Sequence, residues 1–337
     1  MESRDIVVIG GSTGSTDVLK ALLADLPEDL PASVFVVTHV PAHSSRILAQ
    51  VLNSHTRLTV SYAEPGAPIE RGRVYLASPD RHLLLTERSV AFGAGPRENM
   101  VRPSIDPLFR SAALAYGPRV IGVVLTGMLS DGAAGLAAIK AQGGVAVVQD
   151  PETAAAPEMP QAALRATEVD RVASPSELAS VIAALAGTPA PPRQGPPPPD
   201  LRLEVEIAAG ERLGSDRLLE IADPIPLTCP QCDGVLSEVR GSHPLRFRCQ
   251  TGHAVNADVL DAQQHEAVEE ALRVALRVLE ERVTLTERLA VDARGAGRPA
   301  VASLYDERNG EYRGYAKSMR EGLLSMMLQQ GPEPIPE

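Results

Sequence analysis

A short stretch near the amino terminus constrains the fold more than any other part of the chain. Residues 6–14 are Ile-Val-Val-Ile-Gly-Gly-Ser-Thr-Gly, an apolar run that leads into a glycine-rich turn. The following residues, 16–26, carry apolar side chains at the spacing of one helical face. A buried strand, a tight turn and a helix in this order predict the first βα unit of a parallel sheet, with Ser12 at its carboxyl edge.

Ser12 lies where a reactive serine is expected. Gly10-x-Ser12-x-Gly14 has the spacing of a nucleophile elbow, in which small neighbours let a serine hydroxyl project from a strained turn. Helix N-terminal N–H groups can stabilise negative charge at such a place. A dinucleotide-binding loop is the alternative, although Ser12 and Ser15 stand where its second and third glycines would be.

Strand and helix patterns alternate through residues 1–186, which predicts an α/β fold with a doubly wound, mostly parallel, Rossmann-like sheet. The predicted strands are 5–9, 34–38, 58–62, 73–76, 89–92, 120–125, 145–148 and 171–173. The predicted helices are 16–26, 43–53, 106–115, 132–141, 160–167 and 175–186.

The remainder of the chain changes character at residue 187. We expect a proline-rich linker at 187–200, a zinc-ribbon-like module at 201–256 that opens with a strand at 201–207, a helical hairpin at 257–330 and a tail at 331–337. Within the hairpin, one helix is predicted at 257–292 and a second at 298–330, interrupted by Gly310 and Gly314.

Charge and hydropathy limit the partners and the location. The net charge of −11 argues against nucleic acid as a main partner, since phosphate binding needs basic clusters. The charged amino terminus, MESRD, leads directly into a strand, so no signal peptide is expected. No apolar run reaches the roughly 18 residues that span a bilayer. We therefore expect a cytoplasmic protein that is not inserted in a membrane.

Ser12, His39 and Asp131 each follow a different predicted strand, the first, second and sixth of the domain. Because the carboxyl ends of neighbouring parallel strands meet at one crevice, these side chains could lie together there. A serine nucleophile needs a base to take its proton, and the base needs a partner that holds its ring. The chain order differs from the Ser-Asp-His order of α/β-hydrolases, so that fold is not expected.

Structural interpretations of these residues stay open. A lone histidine after a strand is usually structural, and Asp131 precedes Gly132 where a helix N-cap would lie. His43 is an alternative base, whereas we interpret His55 and His82 as structural or surface residues.

Short motifs follow one another along residues 5–186 in a specific order. They are Ile9-Gly10-Gly11-Ser12-Thr13-Gly14, His39-Val40-Pro41, Gly72-Arg73-Val74-Tyr75-Leu76-Ala77, Pro79-Asp80, His82-Leu83, Arg102-Pro103-Ser104-Ile105-Asp106-Pro107-Leu108-Phe109, Leu125-Thr126-Gly127-Met128, Asp131-Gly132, Gly143-Gly144, Gln149-Asp150-Pro151 and Met159-Pro160. In this order they resemble the catalytic domain of CheB-type chemotaxis protein-glutamate methylesterases, and the resemblance covers nearly the whole amino-terminal domain.

The resemblance implies that Ser12 is the nucleophile, His39 the general base and Asp131 its orienting carboxylate. It implies an oxyanion site formed by the backbone N–H of Met128, with a contribution from the Thr13 region. The implied substrate is a γ-glutamyl methyl ester on a methylated chemoreceptor helix, cleaved through an acyl-enzyme to glutamate and methanol. Glutamine deamidation is implied as a further activity of some members, and catalysis would need no cofactor.

Two features differ from the usual family pattern. Ser15 follows Gly14 where a second glycine is usual, and a serine that caps the helix start would be tolerated there. We also expect no receiver domain before the catalytic domain, so control would come from elsewhere, for example a separate response regulator. Arg102 either contacts an acidic part of the substrate or forms a structural ion pair.

All three cysteines lie in one short segment, which in a cytoplasmic protein favours metal binding over disulfides. Cys229-x-x-Cys232 and Cys249-x-x-x-His253 together offer three thiolates and an imidazole. Such a set completes a closed, tetrahedral, structural Zn²⁺ site with no position left for substrate. His243 lies inside the loop between the two pairs and is less favoured as a ligand. The segment also resembles a zinc-ribbon-like extension of some methylesterases of this type.

The helix predicted at 257–292 is amphipathic, with one apolar stripe formed by Leu272, Leu276, Leu279, Val283 and Leu289. This stripe fits packing on the following helix or docking of a partner helix in a dimer or a receptor bundle. For the chain as a whole, the serine methylesterase competes with two alternatives. One is a non-catalytic, zinc-containing adaptor that retains the esterase fold, and the other is a nucleotide-binding domain.

Overall fold

The structure is a computed structural model that describes residues 2–40, 46–211 and 215–328. The chain divides into two compact units after Leu260. The strands of the first unit are β1 (Ile6–Gly11), β2 (Ser33–Thr38), β3 (Thr59–Tyr62), β4 (Arg73–Leu76), β5 (His82–Leu85), β6 (Val90–Gly93), β7 (Val120–Val124), β8 (Val145–Gln149), β9 (Arg171–Ala173), β10 (Ala222–Thr228), β11 (Val235–Val239), β12 (Arg246–Cys249) and β13 (Ala254–Asn256). Its helices are α1 (Ser15–Asp25), α2 (Leu48–Asn53), α3 (Ile105–Tyr116), α4 (Ala133–Ala141), α5 (Glu158–Ala166), α6 (Leu178–Leu185), α7 (Pro199–Ala209) and α8 (Ser215–Leu218).

Seven parallel strands form the central sheet, in the order β3-β4-β2-β1-β7-β8-β9. All six residues of β1 are buried, as expected for a strand covered on both faces. Side chains alternate between the two cores, so Val7 and Ile9 pack in one layer and Ile6 and Val8 in the other. The predicted doubly wound α/β architecture is confirmed.

Helices cover both faces of this sheet. α1 and α6 contribute Leu19, Leu22 and Ile182 to one core, while α3 and α4 contribute Phe109 and Leu136 to the other. β1 is central, and the chain crosses from its β2 side to its β7 side, which is the topological switch point where such folds place their sites.

The strand predicted at 201–207 is wrong, because these residues lie in helix α7. The alternation of apolar and polar residues in Leu-Arg-Leu-Glu-Val-Glu-Ile imitates a strand. Pro199 opens the helix at its first turn and Gly210 closes it with a φ of 107°. The alternation misleads because Glu204 is buried beside Leu201 and Ala208 on one helical face, where it pairs with Arg246 at 2.7 Å.

Two shorter sheets complete the first unit. β5 and β6 form an antiparallel hairpin, of which the sequence predicted only the second strand. β10 to β13 form a four-stranded antiparallel sheet that carries the cysteines, and we call residues 222–256 the knuckle module. In the division of the chain, this module lies within the same compact unit as the parallel sheet.

The proline-rich segment 187–200 runs along the α/β domain. The N–H of Gly187 donates to Arg4 O at 2.7 Å, and the N–H of Ala190 donates to Glu2 O at 2.9 Å. Further on, the Arg193 guanidinium donates to Leu114 O at 2.9 Å. These bonds give this segment fixed contacts with the domain that precedes it.

The second unit consists of most of α9 (Ala257–Gly295) and of α10 (Pro299–Leu328). α10 continues through Gly310 and Gly314, so the predicted interruption there is wrong. The two helices contact each other, for example through the Asn309 side chain, which donates to Val283 O at 2.6 Å. The residues of the predicted apolar stripe are half-buried. Among the described helices, none is both long and apolar enough to cross a membrane.

Candidate active site

Ser12, His39 and Asp131 meet at the carboxyl edge of the central sheet. Ser12 follows β1, His39 follows β2, and Asp131 lies in the loop after β7, the three being adjacent strands. His39 Nδ1 lies 3.1 Å from Ser12 Oγ, and His39 Nε2 lies 2.7 Å from Asp131 Oδ2. The three side chains therefore form one continuous hydrogen-bonded chain, as the strand-edge argument expected.

The protonation of His39 follows from its neighbours. A carboxylate only accepts hydrogen bonds, so the bond to Asp131 requires the proton on Nε2. The lone pair of Nδ1 then faces the hydroxyl of Ser12, which donates to it. This arrangement can remove a proton from Ser12 when its oxygen attacks an electrophile.

Asp131 is buried and accepts hydrogen bonds on both oxygens. Its Oδ2 accepts from His39 and, at 2.7 Å, from the N–H of Ile105. Its Oδ1 accepts from Asn99 Nδ2 at 2.9 Å, Ser104 Oγ at 2.8 Å, Gly132 N at 3.0 Å and Asp106 N at 3.3 Å. Two of these donors belong to the first turn of α3, whose N–H groups and dipole favour a negative charge. Asp131 thus completes the start of α3 instead of capping α4, whose N-cap is Gly132.

Asp106 is a second buried carboxyl close to Asp131, and the pKa values of the two diverge. Burial by itself raises the pKa of Asp131, but the hydrogen bond and charge of His39 and the N–H of Ile105 hold it below its usual range. Burial, followed by the negative charge of Asp131, raises the pKa of Asp106. A proton shared by this pair therefore resides on Asp106, and Asp131 keeps its charge.

The turn that presents Ser12 is held by neighbouring backbone groups. The N–H of Ser12 donates to Thr126 O at 2.9 Å, and Gly14 adopts a φ of 78° that favours glycine. Ser15 does not cap the helix as predicted, since Gly14 is the N-cap of α1. The hydroxyl of Ser15 instead donates to Ser12 O at 2.6 Å, which stabilises the turn.

Backbone N–H groups remain free next to Ser12. Gly127 approaches so closely that a Cβ at this position would lie 2.8 Å from the Cβ of Ser12. The loop is anchored by Gln149, which accepts from Thr126 N at 2.9 Å, and by the bond from Gly127 N to Ala156 O. Within the described part of the chain, the N–H groups of Met128 and Thr13 have no hydrogen-bond partner. They are available to an oxyanion that forms at Ser12.

The other predicted histidines do not join this site. His82 is buried between Pro96 O and the N–H of Ser104, and burial lowers its pKa, so its structural interpretation is supported. His55 is exposed on the turn after α2, and His43 lies outside the described residues. Arg102 forms an ion pair with Asp80 at 2.7 Å, which is the structural alternative considered for it.

The four predicted metal ligands form one cluster in the knuckle module. The ligand atoms of Cys229, Cys232, Cys249 and His253 all lie within 4.8 Å of one another. Cys249 Sγ is 3.5 Å from His253 Nδ1, and Cys232 Sγ is 3.6 Å from Cys249 Sγ. All three cysteines are free thiols. Among the described residues, His243 is not part of this cluster.

Buried ion pairs attach the knuckle module to the α/β domain. Arg248 is fully buried and donates to Glu98 at 3.1 Å and to Glu204 at 3.2 Å. Arg110 bonds to Glu98 from the other side, and Arg246 pairs with Glu204. The three arginines and the two carboxylates form one buried group that links α3, α7 and β12.

The sequence pointed to no role for several residues that support the site. Asn99 and Ser104 hold Asp131, Gln149 holds the loop of Met128, and Asn256 of β13 contacts Asn99 and Ser130. Ser104 and Gln149 belong to motifs that carry the family resemblance, but the resemblance gave no role for either residue. Asn99 and Asn256 lie in no such motif.

Comparison with known proteins assigns the α/β domain to a family. Residues 7–182 match the model of the CheB methylesterase family, which is more than half of the chain. The crystal structure of the Thermotoga maritima CheB methylesterase catalytic domain is similar, with 34% sequence identity and a TM-score of 0.53. The match covers 55% of this chain and 100% of that domain.

The names of two curated relatives agree with this family assignment. Protein-glutamate methylesterase/protein-glutamine glutaminase 2 of Anaeromyxobacter dehalogenans is 43% identical over 174 residues, 52% of this chain and 51% of that protein. A Leptospira interrogans protein to which the same two activities are provisionally assigned is 40% identical over 178 residues, 52% of this chain and 92% of its own length. On this family match, with the fold and the strand-edge site already described, the chain belongs to the CheB methylesterase family.

Proposed function

We propose that this protein is a serine esterase that hydrolyses γ-glutamyl methyl esters on methylated chemoreceptors. The observation that carries the proposal is the hydrogen-bonded chain from Ser12 through His39 to Asp131 at the carboxyl edge of the sheet. Membership of the CheB methylesterase family supports this substrate, as do the names of the relatives.

The first half of the reaction follows from the positions of these groups. Ser12 Oγ attacks the ester carbonyl carbon while its proton passes to His39 Nδ1. The carboxylate of Asp131 stabilises the resulting imidazolium and keeps the ring oriented. The N–H groups of Met128 and Thr13 bind the oxyanion of the tetrahedral intermediate. The bond to the methoxy group then breaks, His39 Nδ1 returns the proton to it, and methanol leaves an acyl-enzyme on Ser12.

Water completes the cycle by the same groups in reverse roles. His39 Nδ1 takes a proton from water as its oxygen attacks the acyl carbon. Collapse of the second intermediate frees the γ-carboxylate of glutamate and returns the proton to Ser12 Oγ. An amide in place of the ester would release ammonia in the first half, which is glutamine deamidation. The relatives' names include this second activity, and it needs no additional group.

We propose further that Cys229, Cys232, Cys249 and His253 hold a structural Zn²⁺. Typical zinc bond lengths give a tetrahedron with edges of about 3.8 Å between sulfurs and about 3.5 Å between sulfur and nitrogen. The separations of 3.6 Å between Cys232 and Cys249 and 3.5 Å between Cys249 and His253 fit these values. Four protein ligands leave no open position, so the ion would support the fold and take no part in the reaction.

Methanol release from a methylated chemoreceptor fragment tests the proposed activity. The wild type should release methanol, and Ser12→Ala should reduce the rate by about 10⁴-fold or more. Ser176→Ala, which removes an exposed hydroxyl near α6, is the matched control and should match the wild type. Folded, metal-loaded protein that releases no methanol would contradict the esterase and favour the adaptor that retains the fold.

A further inference from the structure

The last strand of the knuckle module ends beside the catalytic carboxylate. Asn256, at the end of β13, is buried. Its backbone N–H donates to Asn99 Oδ1 at 3.0 Å, and its side-chain amide donates to Ser130 O at 3.0 Å. Ser130 is itself buried and directly precedes Asp131. One residue of β13 therefore contacts both the loop that carries Asp131 and the side chain that holds it.

Asn99 is the link between Asn256 and Asp131. Its Nδ2 donates to Asp131 Oδ1 at 2.9 Å and to Asp106 Oδ2 at 3.0 Å. A backbone N–H can only donate, so the N–H of Asn256 requires the oxygen of the Asn99 amide to face it. The amino group of Asn99 must then face the two carboxyls. The contact from β13 thus selects the amide orientation that Asp131 needs.

The backbone around Asn99 also depends on β13. Asn99 and Met100 have φ values of 50° and 68°, a left-handed conformation that asparagine tolerates but that is unfavourable for Met100. The N–H of Asn99 donates to Ala254 O at 2.9 Å, and Ala254 N donates to Arg97 O at 3.4 Å. A strained conformation persists where surrounding contacts enforce it, and β13 supplies these contacts.

The position of β13 is fixed in turn by the rest of the knuckle module. Ala254 pairs with Arg248 on β12, and Arg248 also bonds to Glu98, the neighbour of Asn99. The turn between the strands is closed by the bonds from Cys249 N to His253 O and from Gly252 N to Cys249 O. The ends of this turn are two members of the cysteine and histidine cluster. The knuckle module and the segment at Asn99 therefore form one connected hydrogen-bonded structure.

From these contacts we propose that Asn99 and Asn256 are positioning residues for the catalytic carboxylate of Asp131. Through β13, the knuckle module then contributes to the geometry of the esterase site. The inference rests on the proposed function and deepens it. Asn256 does not touch the reacting atoms; it acts through Asn99 and Ser130. Without its side chain, the loop that carries Asp131 would lose its bond at Ser130 O and could shift, and misplacement of a catalytic group by about 1 Å can reduce a rate by about 100-fold.

Asn256→Ala tests this proposal in the full-length, metal-loaded protein. Two assays are used: one gives kcat and KM for methanol release, and the other gives the second-order rate of Ser12 modification by a small fluorophosphonate. The small reagent reports on activation of the serine independently of receptor binding. Asn256→Ala should lower kcat and the modification rate by about 10- to 100-fold, while KM changes less than about 2-fold and the metal content is retained.

Asn53→Ala is the matched control. The Asn53 side chain makes two hydrogen bonds to the backbone of Val60, in the same unit but away from the catalytic groups. It should therefore leave both rates within about 2-fold of the wild type. If Asn256→Ala behaves like Asn53→Ala in both rates, or if its effect appears only in KM, the positioning role is overturned.

A double substitution tests whether Asn99 and Asn256 position the same carboxylate. Asn256→Ala removes the side-chain bond to Ser130 O and keeps the backbone N–H that donates to Asn99, whereas Asn99→Ala removes the donor to Asp131 Oδ1. If both side chains act on Asp131, the double variant should lose less than the product of the two single losses, and fully additive losses would contradict a shared target. Should Asn256→Ala fail to fold, Asn256→Asp keeps the shape and the backbone donor but presents a carboxylate to Ser130 O, and it should show the same loss in kcat. A wild type that is inactive in both assays would refute the proposed function itself. An active wild type with an unimpaired Asn256→Ala would refute only the inference about the knuckle module.

Discussion

The serine site and the cysteine cluster both present reactive side chains from turns that follow strands, but they are completed in different ways. At the serine site, the charged and titratable side chains have protein partners: Asp131 has its donors, and His39 lies between Asp131 and Ser12. At the cluster, the side chains of three cysteines and a histidine face one another, and none of them supplies a positive charge that would balance thiolates. The serine site is held by protein groups alone, whereas the cluster has the donor set of the Zn²⁺ site proposed above.

Because of this difference, we expect substitutions at the two sites to affect catalysis and protein stability separately. A substitution at the serine site should abolish the reaction while the knuckle module remains folded and loaded. A substitution at the cluster should first weaken the fold and then, through β13, reduce the reaction. The following predictions test this separation, from the largest expected effect to the smallest.

Asp131→Asn should reduce kcat by about 10⁴-fold, in line with the loss of the carboxylate in other triads. An amide cannot accept hydrogen bonds on both of its polar atoms, so it no longer enforces the proton on His39 Nε2. Metal analysis of the same sample should still find one ion per chain. Loss of the ion in Asp131→Asn, or retention of near-normal kcat, would break the proposed separation.

Cys249→Ser should abolish tight metal binding and destabilise the first unit by several kcal/mol, because binding free energy is folding free energy at such a site. The activity that remains should be reduced by about 10- to 100-fold. Thermal unfolding, metal content and methanol release at a temperature well below the transition give these values. An unchanged midpoint would contradict the zinc proposal, and Ser237→Ala on the neighbouring strand β11 serves as the control.

Glu204→Gln should destabilise the protein by about 3 kcal/mol. Glu204 is buried and pairs with Arg246 and Arg248, so its neutralisation leaves buried positive charge without compensation. Glu206→Gln is the control, since Glu206 is two residues further along α7, on the other side of the helix from Glu204, and pairs with Arg217 at 3.5 Å. Its substitution should cost less than about 1 kcal/mol. Equal denaturation midpoints for the two variants would refute the role given to the buried ion pairs.

The smallest effect concerns pH. The raised pKa of Asp106 means that the folded state binds a proton more tightly than the unfolded chain, so this group makes stability fall as pH rises from the ordinary carboxyl range toward neutrality. The lowered pKa of Asp131 acts oppositely: its contribution is present above the ordinary carboxyl pKa and is lost as pH falls through the folded value. Urea unfolding at pH 5 and pH 8 should show that Asp106→Asn removes a decrease on the order of 1 kcal/mol. An identical decrease in wild type and variant would contradict the assignment.

The sequence was sufficient for features that depend on local pattern and on sheet geometry. Buried apolar runs predicted β1, β2 and β7. The rule that the carboxyl ends of neighbouring parallel strands meet at one edge predicted that Ser12, His39 and Asp131 lie together. The spacing of Cys229, Cys232, Cys249 and His253 was likewise enough to identify their cluster. These predictions succeeded because each signal lies within a few residues or follows from a general rule of topology.

Features that depend on distant partners could not be predicted in this way. Glu204 is buried in α7 because Arg246 and Arg248 meet it there, and the alternating pattern around it therefore suggested a strand. Asn99 and Asn256 are ordinary polar residues until β13 brings them together across 157 positions of the chain. A single sequence carries no local signal for such pairs.

Modification of Ser12 by a small fluorophosphonate, followed by mass spectrometry of the resulting peptides, tests the central claim most directly. The account predicts an adduct on the peptide that contains Ser12, formed at least about 10³-fold faster in the wild type than in His39→Ala. An adduct on another serine, or equal rates in wild type and His39→Ala, would contradict the claim that His39 activates Ser12.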